Sequence, residues 1–194
     1  MARTRTFETA AAVAAAREVF WRRGYAETSV PDLEAATGLA RSSLYAAFGS
    51  KRGLFDAAVA SYLEEVVRPR IAALGDDGED AVAPDALDGY LGGLRDAVAA
   101  GADDVRLGCL LVNTAGADLV HDEGVRAVIA GYHRELRGAV VRGLAAARPE
   151  LDDAARSALA VEIAGLVVSS MVLARVDRDA AVELLESARG RVAA

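Results

Sequence analysis

Hydroxyl and basic side chains cluster between residues 28 and 51 of the chain. A guanidinium such as that of Arg41 can pair with guanine O6 and N7 in the major groove, or it can contact a phosphate, and both roles stay open. The hydroxyls of Ser42 and Ser43 suit base edges and phosphate oxygens, while the methyl group of Ala46 suits a thymine methyl. These residue types indicate recognition of double-stranded DNA.

The sequence contains no comparable group of residues for catalysis or metal binding. No nucleophile stands with a histidine and a carboxylate in a recognisable arrangement, and no glycine-rich loop resembles a phosphate cradle. His121 and His133 lack the spacing of metal ligands, and Cys109 is the single cysteine. We therefore expect no enzyme activity, no metal, no cofactor and no internal disulfide.

Two short helices must position the DNA-contacting groups. The first is predicted over residues 30–37, with Thr28 or Ser29 as its N-cap and Asp32 completing a capping box. A glycine turn follows, and the second short helix is predicted over residues 41–48. Apolar residues recur in both helices and would pack them together. The pattern predicts a helix-turn-helix, whose second helix enters the major groove.

Helix-forming residues dominate the whole sequence. Hydrophobic residues make up 53% of the chain and aromatic residues only 5%, and Ala, Leu and Val are abundant. Apolar residues recur at helical spacing between glycine, proline and aspartate breaks. The sequence therefore predicts an all-α protein. Its other helices are expected at about residues 7–23, 51–73, 86–100, 105–115, 123–147, 152–176 and 178–192.

Charge is distributed unevenly. The formal net charge is -7, yet residues 1–60 hold eight basic and six acidic residues, which leaves fourteen basic and twenty-three acidic residues in 61–194. The N-terminal part, at +2, can approach phosphates, whereas the remainder, at -9, would be repelled. No uninterrupted apolar run approaches the roughly 18 residues of a membrane span. We expect a soluble cytoplasmic protein without a membrane segment.

The segment from Gly24 to Phe55, GYAETSVPDLEAATGLARSSLYAAFGSKRGLF, resembles the DNA-binding signature of the TetR family of transcriptional regulators. The matching positions are Gly24-Tyr25, Thr28-Ser29, Val30, Leu33, Ala36, Gly38, Leu44-Tyr45, Phe48, Ser50-Lys51 and Leu54-Phe55. The resemblance implies a three-helix DNA-binding domain over residues 1–50 and a helical domain for effector binding and dimerisation over residues 51–194.

The family motif also implies further DNA contacts. By position, the hydroxyls of Thr28 and Tyr45 correspond to phosphate contacts, and Ser29 belongs to the same set. Lys51, at the start of the fourth helix, corresponds to a second phosphate anchor that the helix dipole would assist.

Two positions depart from the family pattern. Ala40 stands where a capping Ser is common, and losing that acceptor costs about 1 kcal/mol. We therefore expect Ser42 or the packing of Leu39 to hold the start of the second short helix. Ala47 stands where His is common, which removes one possible backbone contact.

The last two predicted helices would form a homodimer interface, because in this family such a pair packs against its mate as a four-helix bundle. Burial within one subunit is the alternative for part of these positions. The predicted interface residues are Leu159, Ile163, Leu166, Val167, Ser170, Leu173 and Leu185.

The helices between Leu54 and Ala147 would enclose a pocket for a small hydrophobic effector, although each candidate residue could equally be ordinary core. The candidates are Tyr62, Tyr90, Leu94, Cys109, Asn113, Tyr132, His133 and Met171. Cys109 could also serve as a redox or electrophile sensor, but only if its thiol is exposed and its pKa lowered. A buried small residue is the alternative.

These observations together predict a repressor that a small molecule releases from a palindromic operator. A helical DNA-binding protein without an effector is the competing hypothesis. An internal cavity in the larger domain would favour the sensor, and a solid core would favour the architectural protein.

Overall fold

A computed structural model of the protein describes residues 2–75, 81–102, 105 and 107–193. Side chains are described from residue 9 onward. Within these ranges every regular element is a helix, which confirms the predicted all-α fold. Apolar side chains at helical spacing form one continuous core that extends from Ala16 to Val192.

Three helices form the N-terminal part of the chain. α1, Ala2–Glu27, contains a non-helical residue at Gly24 (φ 80°, ψ 168°). The predicted end of this helix coincides with that interruption, and the chain then continues helically to Glu27. α2, Val30–Thr37, and α3, Arg41–Phe48, have the predicted bounds.

The fourth helix, α4, Lys51–Tyr62, continues in irregular helical turns. A π-helical turn at Leu63–Val67, an α-helical turn at Arg68–Ile71 and a 3-10 turn at Ala72–Leu74 follow it. The π turn ends next to Pro69, which has no N–H for the Glu65 carbonyl and whose ring would clash with it in a regular α-helix. The sequence predicted one long helix and missed this irregularity.

Aromatic side chains join α1 to α4. The ring of Phe20 meets Phe55 edge to face at 5.2 Å, and the ring of Trp21 meets Tyr62 edge to face at 4.9 Å. These four side chains are at most 2% exposed. A shared core therefore crosses the point between residues 50 and 51 where we divide the chain into two domains.

In the described part of the remaining chain, five longer α-helices are joined by shorter segments that include a 3-10 turn at Asp118–His121. The five helices are α5, Ala86–Ala100; α6, Leu110–Ala115; α7, Glu123–Ala147; α8, Asp153–Leu173; and α9, Arg178–Ala193. α9 packs between α5 and α8, and α8 also packs on α7. A two-pronged ion pair links α9 to α5, with Arg189 Nε and Nη2 each 2.8 Å from an oxygen of Asp88.

α6 starts five residues later than predicted. Gly108 adopts a left-handed backbone (φ 69°) and Cys109 is extended, so that the helix can begin only at Leu110. The indole N–H of Trp21 donates to the Gly108 carbonyl at 3.1 Å, which ties this loop to α1. The interruption is thus a contact point between the N-terminal helices and the body.

Among the described residues, α8 alone is long and apolar enough to cross a membrane, with a mean hydropathy of 1.6 in its most apolar window. The expectation from uninterrupted apolar runs overlooked it, because Glu162 divides the run. This helix buries Ile163, Ala164 and Val167 against its neighbours. Its packing on α7 and α9 is that of a core helix, and its opposite side is apolar and exposed.

Candidate functional site

α2 begins with the predicted capping box. The Ser29 Oγ accepts from the Asp32 N–H at 3.2 Å, and the Asp32 carboxylate accepts from the Ser29 N–H at 2.9 Å. The Ser29 hydroxyl also donates to the Asp32 carboxylate at 2.6 Å, and this bond, followed by the bond from the Ser29 N–H, lowers the pKa of Asp32 to about 2. Arg23, whose Nη1 lies 2.6 Å from the carboxylate, contributes less. Gly38 ends the helix in a left-handed conformation (φ 69°). Local interactions thus set both ends of α2.

The start of α3 is held by a carboxylate from α2. Ala40 provides no side-chain cap, and instead Glu34 Oε1 accepts from the Arg41 N–H at 2.7 Å. The acceptor is thus Glu34 and not Ser42 as expected, while Leu39 packs against the hydrophobic core as the alternative expectation required. Glu34 was missed because it is seven residues away in sequence and reaches α3 only through the turn between the helices.

α3 presents a polar face to solvent. Arg41, Ser42, Ser43 and Ala46 are exposed, while Leu44 is 3% exposed and anchors the helix from behind. The guanidinium of Arg41 lies 5.2 Å from the centre of the Tyr45 ring, a cation–π distance. A short helix with this face has the shape and donors to enter a major groove. We call it the recognition helix.

Lys51 stands beside the recognition helix at the first turn of α4. Its Nζ lies 4.4 Å from the centre of the Tyr25 ring, and partial burial lowers the pKa of Lys51, an effect that the Glu27 carboxylate opposes. Ser50 caps the same helix, with its Oγ accepting from the Gly53 N–H at 3.0 Å. A cation fixed over an aromatic ring at a helix N-terminus suits a phosphate. Sequence reasoning missed the role of Tyr25, although it had noted Gly24-Tyr25 in the motif.

Two predicted phosphate contacts are placed differently from the expectation. Thr28 is 1% exposed, and its hydroxyl donates to the Gly24 carbonyl at 2.6 Å. Ser29 is exposed, but its hydroxyl donates to Asp32 at 2.6 Å. Each hydroxyl proton is thus already donated within the protein, that of Thr28 to the end of α1 and that of Ser29 within the cap of α2.

Most of the effector candidates surround one small cavity. Its volume is about 30 Å³, the space of a single water molecule. Drug-sized ligands usually occupy pockets of about 300 Å³ or more, and even a single aromatic ring needs about 150 Å³. The candidates that line it are Tyr62, Tyr90, Leu94, Cys109, Tyr132 and Met171. The structure brings these residues together as predicted, but around a space too small for an effector.

Cys109 lies at the edge of this cavity, between two tyrosines. It is 2% exposed and within hydrogen-bonding reach of the Tyr62 and Tyr132 hydroxyls, whose pKa values burial raises. A buried thiol lacks the exposure that a sensor requires. Asn113 donates to the Leu107 carbonyl at 2.8 Å and holds the loop before α6. His133 is exposed on α7, so its assignment to an internal pocket is wrong.

The predicted dimer residues divide into two groups. Ile163, Val167, Ser170 and Leu185 are at most 1% exposed within the single chain, so they are core and not available to a partner. The remaining three, Leu159, Leu166 and Leu173, are half-buried. The reason is that α8 is apolar on several sides, and its spacing alone does not say which side faces inward.

The exposed side of α8 is also apolar. Val161 is 53% exposed and Val172 is 47% exposed, while Val176, just after the helix, is 80% exposed. Gly165 and Ser169 lie between them at helical spacing and are also exposed. We call this surface the α8 face, and it lies one step around the helix from the half-buried Leu159, Leu166 and Leu173.

A known protein family matches the part of the chain that contains the recognition helix. Residues 12–58 match the family described as bacterial regulatory proteins, tetR family. The chain is 35% identical over 153 residues to YezE of Bacillus subtilis (strain 168), an uncharacterised HTH-type transcriptional regulator, covering 77% of this chain and 75% of that protein. The chain belongs to the TetR family.

Solved structures of TetR-family proteins agree over nearly the whole chain. A cysteine mutant of the regulator CifR, bound to a 26-base-pair operator DNA, shares 32% identity, a TM-score of 0.70 and coverage of 93% of this chain and 94% of that one. A TetR regulator of Chloroflexus aurantiacus shares 28% identity and a TM-score of 0.75, with 98% and 94% coverage. The chain is thus a TetR-family DNA-binding transcriptional regulator, and the family consists of regulators, not enzymes.

Proposed function

We propose that this TetR-family protein is a dimeric repressor that binds a palindromic operator and leaves it when a small molecule binds. The observation that carries the DNA-binding role is the exposed face of the recognition helix. Lys51 follows at the start of α4, and the residues exposed on this face are Arg41, Ser42, Ser43 and Ala46. Arg41 supplies a guanidinium for a guanine edge, and Lys51 supplies a fixed charge for a phosphate.

Dimerisation through the α8 face supports a palindromic site. The α8 face is an exposed apolar surface that can pack against the same surface of a second copy, and its small residues allow two helices to approach closely. Its residues are Val161, Gly165, Ser169 and Val172. A two-fold dimer carries two recognition helices and therefore reads two inverted half-sites. Among related proteins, the CifR mutant was solved on operator DNA, and ComR of Escherichia coli, 32% identical over 51% of its length, is named as a repressor.

Selection of bound sequences from a random DNA library tests this function. We expect an inverted repeat, with affinity that falls steeply as salt rises, because phosphate contacts release counterions. Arg41→Ala should cost about 1–3 kcal/mol and relax the preference at one base of each half-site. Lys51→Ala should weaken binding to all sequences alike and flatten the salt dependence.

Arg137→Ala, which removes an exposed guanidinium from α7, is the matched control and should leave binding unchanged. Selection of no sequence, or affinity that is insensitive to salt, would contradict the proposed function. An effect of Arg137→Ala equal to that of Arg41→Ala would show that only the overall charge matters.

A further inference from the structure

We propose that the effector site is a second pocket, between α4, α6 and the first turns of α7, and that it takes a single-ring molecule carrying a positive charge. The proposal rests on the effector-released function above and names its site. None of the eight effector candidates suggested by the sequence lines this pocket. Its apolar wall consists of Phe55, Val59, Leu111, Val125 and Ile129.

The volume of the pocket sets the size of its occupant. It measures about 190 Å³, against about 30 Å³ for the small cavity beside Cys109. An apolar cavity of about 150 Å³ accommodates benzene, so this space holds one ring and a short chain. A wider cleft of about 910 Å³ opens near Arg68 and Arg142. That cleft is lined by the helical turns that follow α4, by residues 81 and 82 and by α7, and no residue of α1 to α4 lines it.

Arg52 and Asp56 line the pocket, and Asp122 lies behind Arg52 and next to Gly124 of the lining, so these three groups together carry one net negative charge. Arg52 Nε lies 2.7 Å from Asp56 Oδ1, and Arg52 Nη2 lies 2.9 Å from Asp122 Oδ1. One guanidinium thus faces two carboxylates, and its hydrogen bond holds the pKa of Asp122 well below the usual range. Asp56 is 54% exposed and accessible from the opening. A ligand ammonium group would neutralise the excess negative charge of the two carboxylates. A ligand carboxylate would instead be repelled by Asp56 and Asp122.

The pocket connects directly to the phosphate anchor. The Phe55 ring on its wall meets the Tyr25 ring at 5.1 Å, and Tyr25 lies under Lys51. Arg52 follows Lys51 in the first turn of α4, and its partner Asp122 caps α7 by accepting from the Val125 N–H at 3.0 Å. A ligand that displaces Phe55 or draws Asp56 away from Arg52 therefore shifts Lys51 relative to the body. Such a shift alters the fit of the dimer to its operator.

Phenethylamine is the probe for this site, since it combines one ring with an ammonium group. Saturation-transfer NMR on the full-length protein should detect its binding. Val128→Trp, at the rim, should fill the pocket and raise the Kd roughly tenfold or more. Ala130→Trp places the same side chain on an exposed position of α7 that does not line the pocket, and it should bind like the wild type.

The charge preference has its own test. The wild type should bind phenethylamine more tightly than the neutral 2-phenylethanol by about two- to fivefold, and phenylacetate least. Asp56→Asn should abolish the preference for the amine while 2-phenylethanol binding stays. Equal binding of all three compounds by the wild type, or unchanged binding of the probe by Val128→Trp, would overturn the proposed site.

Operator binding separates this inference from the proposed function. Saturating phenethylamine should weaken operator binding by the wild type and leave that of Val128→Trp unchanged. If the probe occupies the pocket while operator affinity stays constant, the pocket is not the effector site, although the chain still binds DNA. If the wild type binds no DNA even without the probe, the proposed function itself fails.

Discussion

Two carboxylates of α2 hold the starts of both helices of the DNA-binding motif. Asp32 closes the capping box with Ser29, and Glu34 accepts from the first N–H of the recognition helix at Arg41. Orphan N–H groups at helix starts need such acceptors. Two of the six acidic residues in 1–60, where the net charge is only +2, therefore serve the architecture of the DNA-binding segment.

Replacing the Glu34 carboxylate should show its capping role. We expect Glu34→Ala to lower the free energy of unfolding by about 1 kcal/mol, because the Arg41 N–H loses its acceptor. Adding Ala40→Ser should restore most of that loss, since serine can cap the helix from its own N-cap position. Urea denaturation of the three proteins measures both effects, and failure of the double variant to recover would assign Glu34 another role.

The capping box predicts a particular pH response. Bonds from Ser29 depress the pKa of Asp32 to about 2 in the folded chain from an ordinary value of 3.8. The contribution of this carboxylate to stability is complete above about pH 4 and disappears as the pH falls through about 2. The reason is that the unfolded chain binds the proton near pH 4, whereas the folded chain binds it only near pH 2. Carboxyl NMR titration should give a pKa near 2, and a higher value in Ser29→Ala. An unchanged value in that variant would remove Ser29 as the cause.

At the scale of elements, α4 depends on its close approach to α3. A Cβ placed on Gly53 would lie 2.0 Å from the Phe48 carbonyl oxygen, a backbone atom that has little freedom to move. The same turn carries the Ser50 cap, Lys51 and Arg52. The absence of a side chain at Gly53 thus allows the turn that carries Lys51 to pack closely against the recognition helix.

Gly53→Ala should therefore be far more harmful than an alanine at an ordinary helical glycine. We expect it to cost about 3 kcal/mol of stability and to weaken operator binding, because α3 and α4 must separate. Gly93→Ala, on the exposed side of α5 with no atom within 4 Å of the added Cβ, should instead stabilise the protein by about 0.5–1 kcal/mol. Thermal melts of both variants measure the contrast, and equal effects would contradict it.

At the scale of the whole molecule, an acidic body carries a weakly basic DNA-binding end and an apolar α8 face. The formal charge is +2 for residues 1–60 and -9 for residues 61–194, so only one end of the molecule is attracted to DNA. The α8 face, with Val161 and Val172 about half exposed, lies on the body. A dimer through this face would pair two bodies and leave both recognition helices free.

Charges on the α8 face should therefore separate the proposed dimer. We expect Val161→Glu combined with Val172→Glu to yield a folded monomer and to weaken operator binding by about a hundredfold, because the two half-sites are no longer bound together. Sedimentation analysis and DNA titration measure the two effects. Ala130→Glu, an exposed change on α7, should leave the dimer intact. A double variant that remains dimeric would place the interface elsewhere.

The sequence by itself determined the features that depend on neighbouring residues. The Ser29–Asp32 capping box, the turn at Gly38 and the bounds of α2, α3, α5 and α7 follow from interactions within a few residues. The positions of Arg41 and Lys51 at the starts of two consecutive helices could also be predicted, because the motif is contained in one short segment. Such contacts form in the same way wherever the segment is placed.

Only the tertiary structure decided which apolar side faces inward and which space stays open. Ile163 and Val161 are both apolar residues of α8, yet packing on α7 and α9 buries the first and leaves the second exposed. The bond between Glu34 and Arg41 likewise depends on how two consecutive helices are oriented across their turn. The pocket beside Phe55 depends on helices from distant parts of the chain. Helical periodicity gives the angle between residues on one helix, but neighbouring helices determine how that helix is rotated.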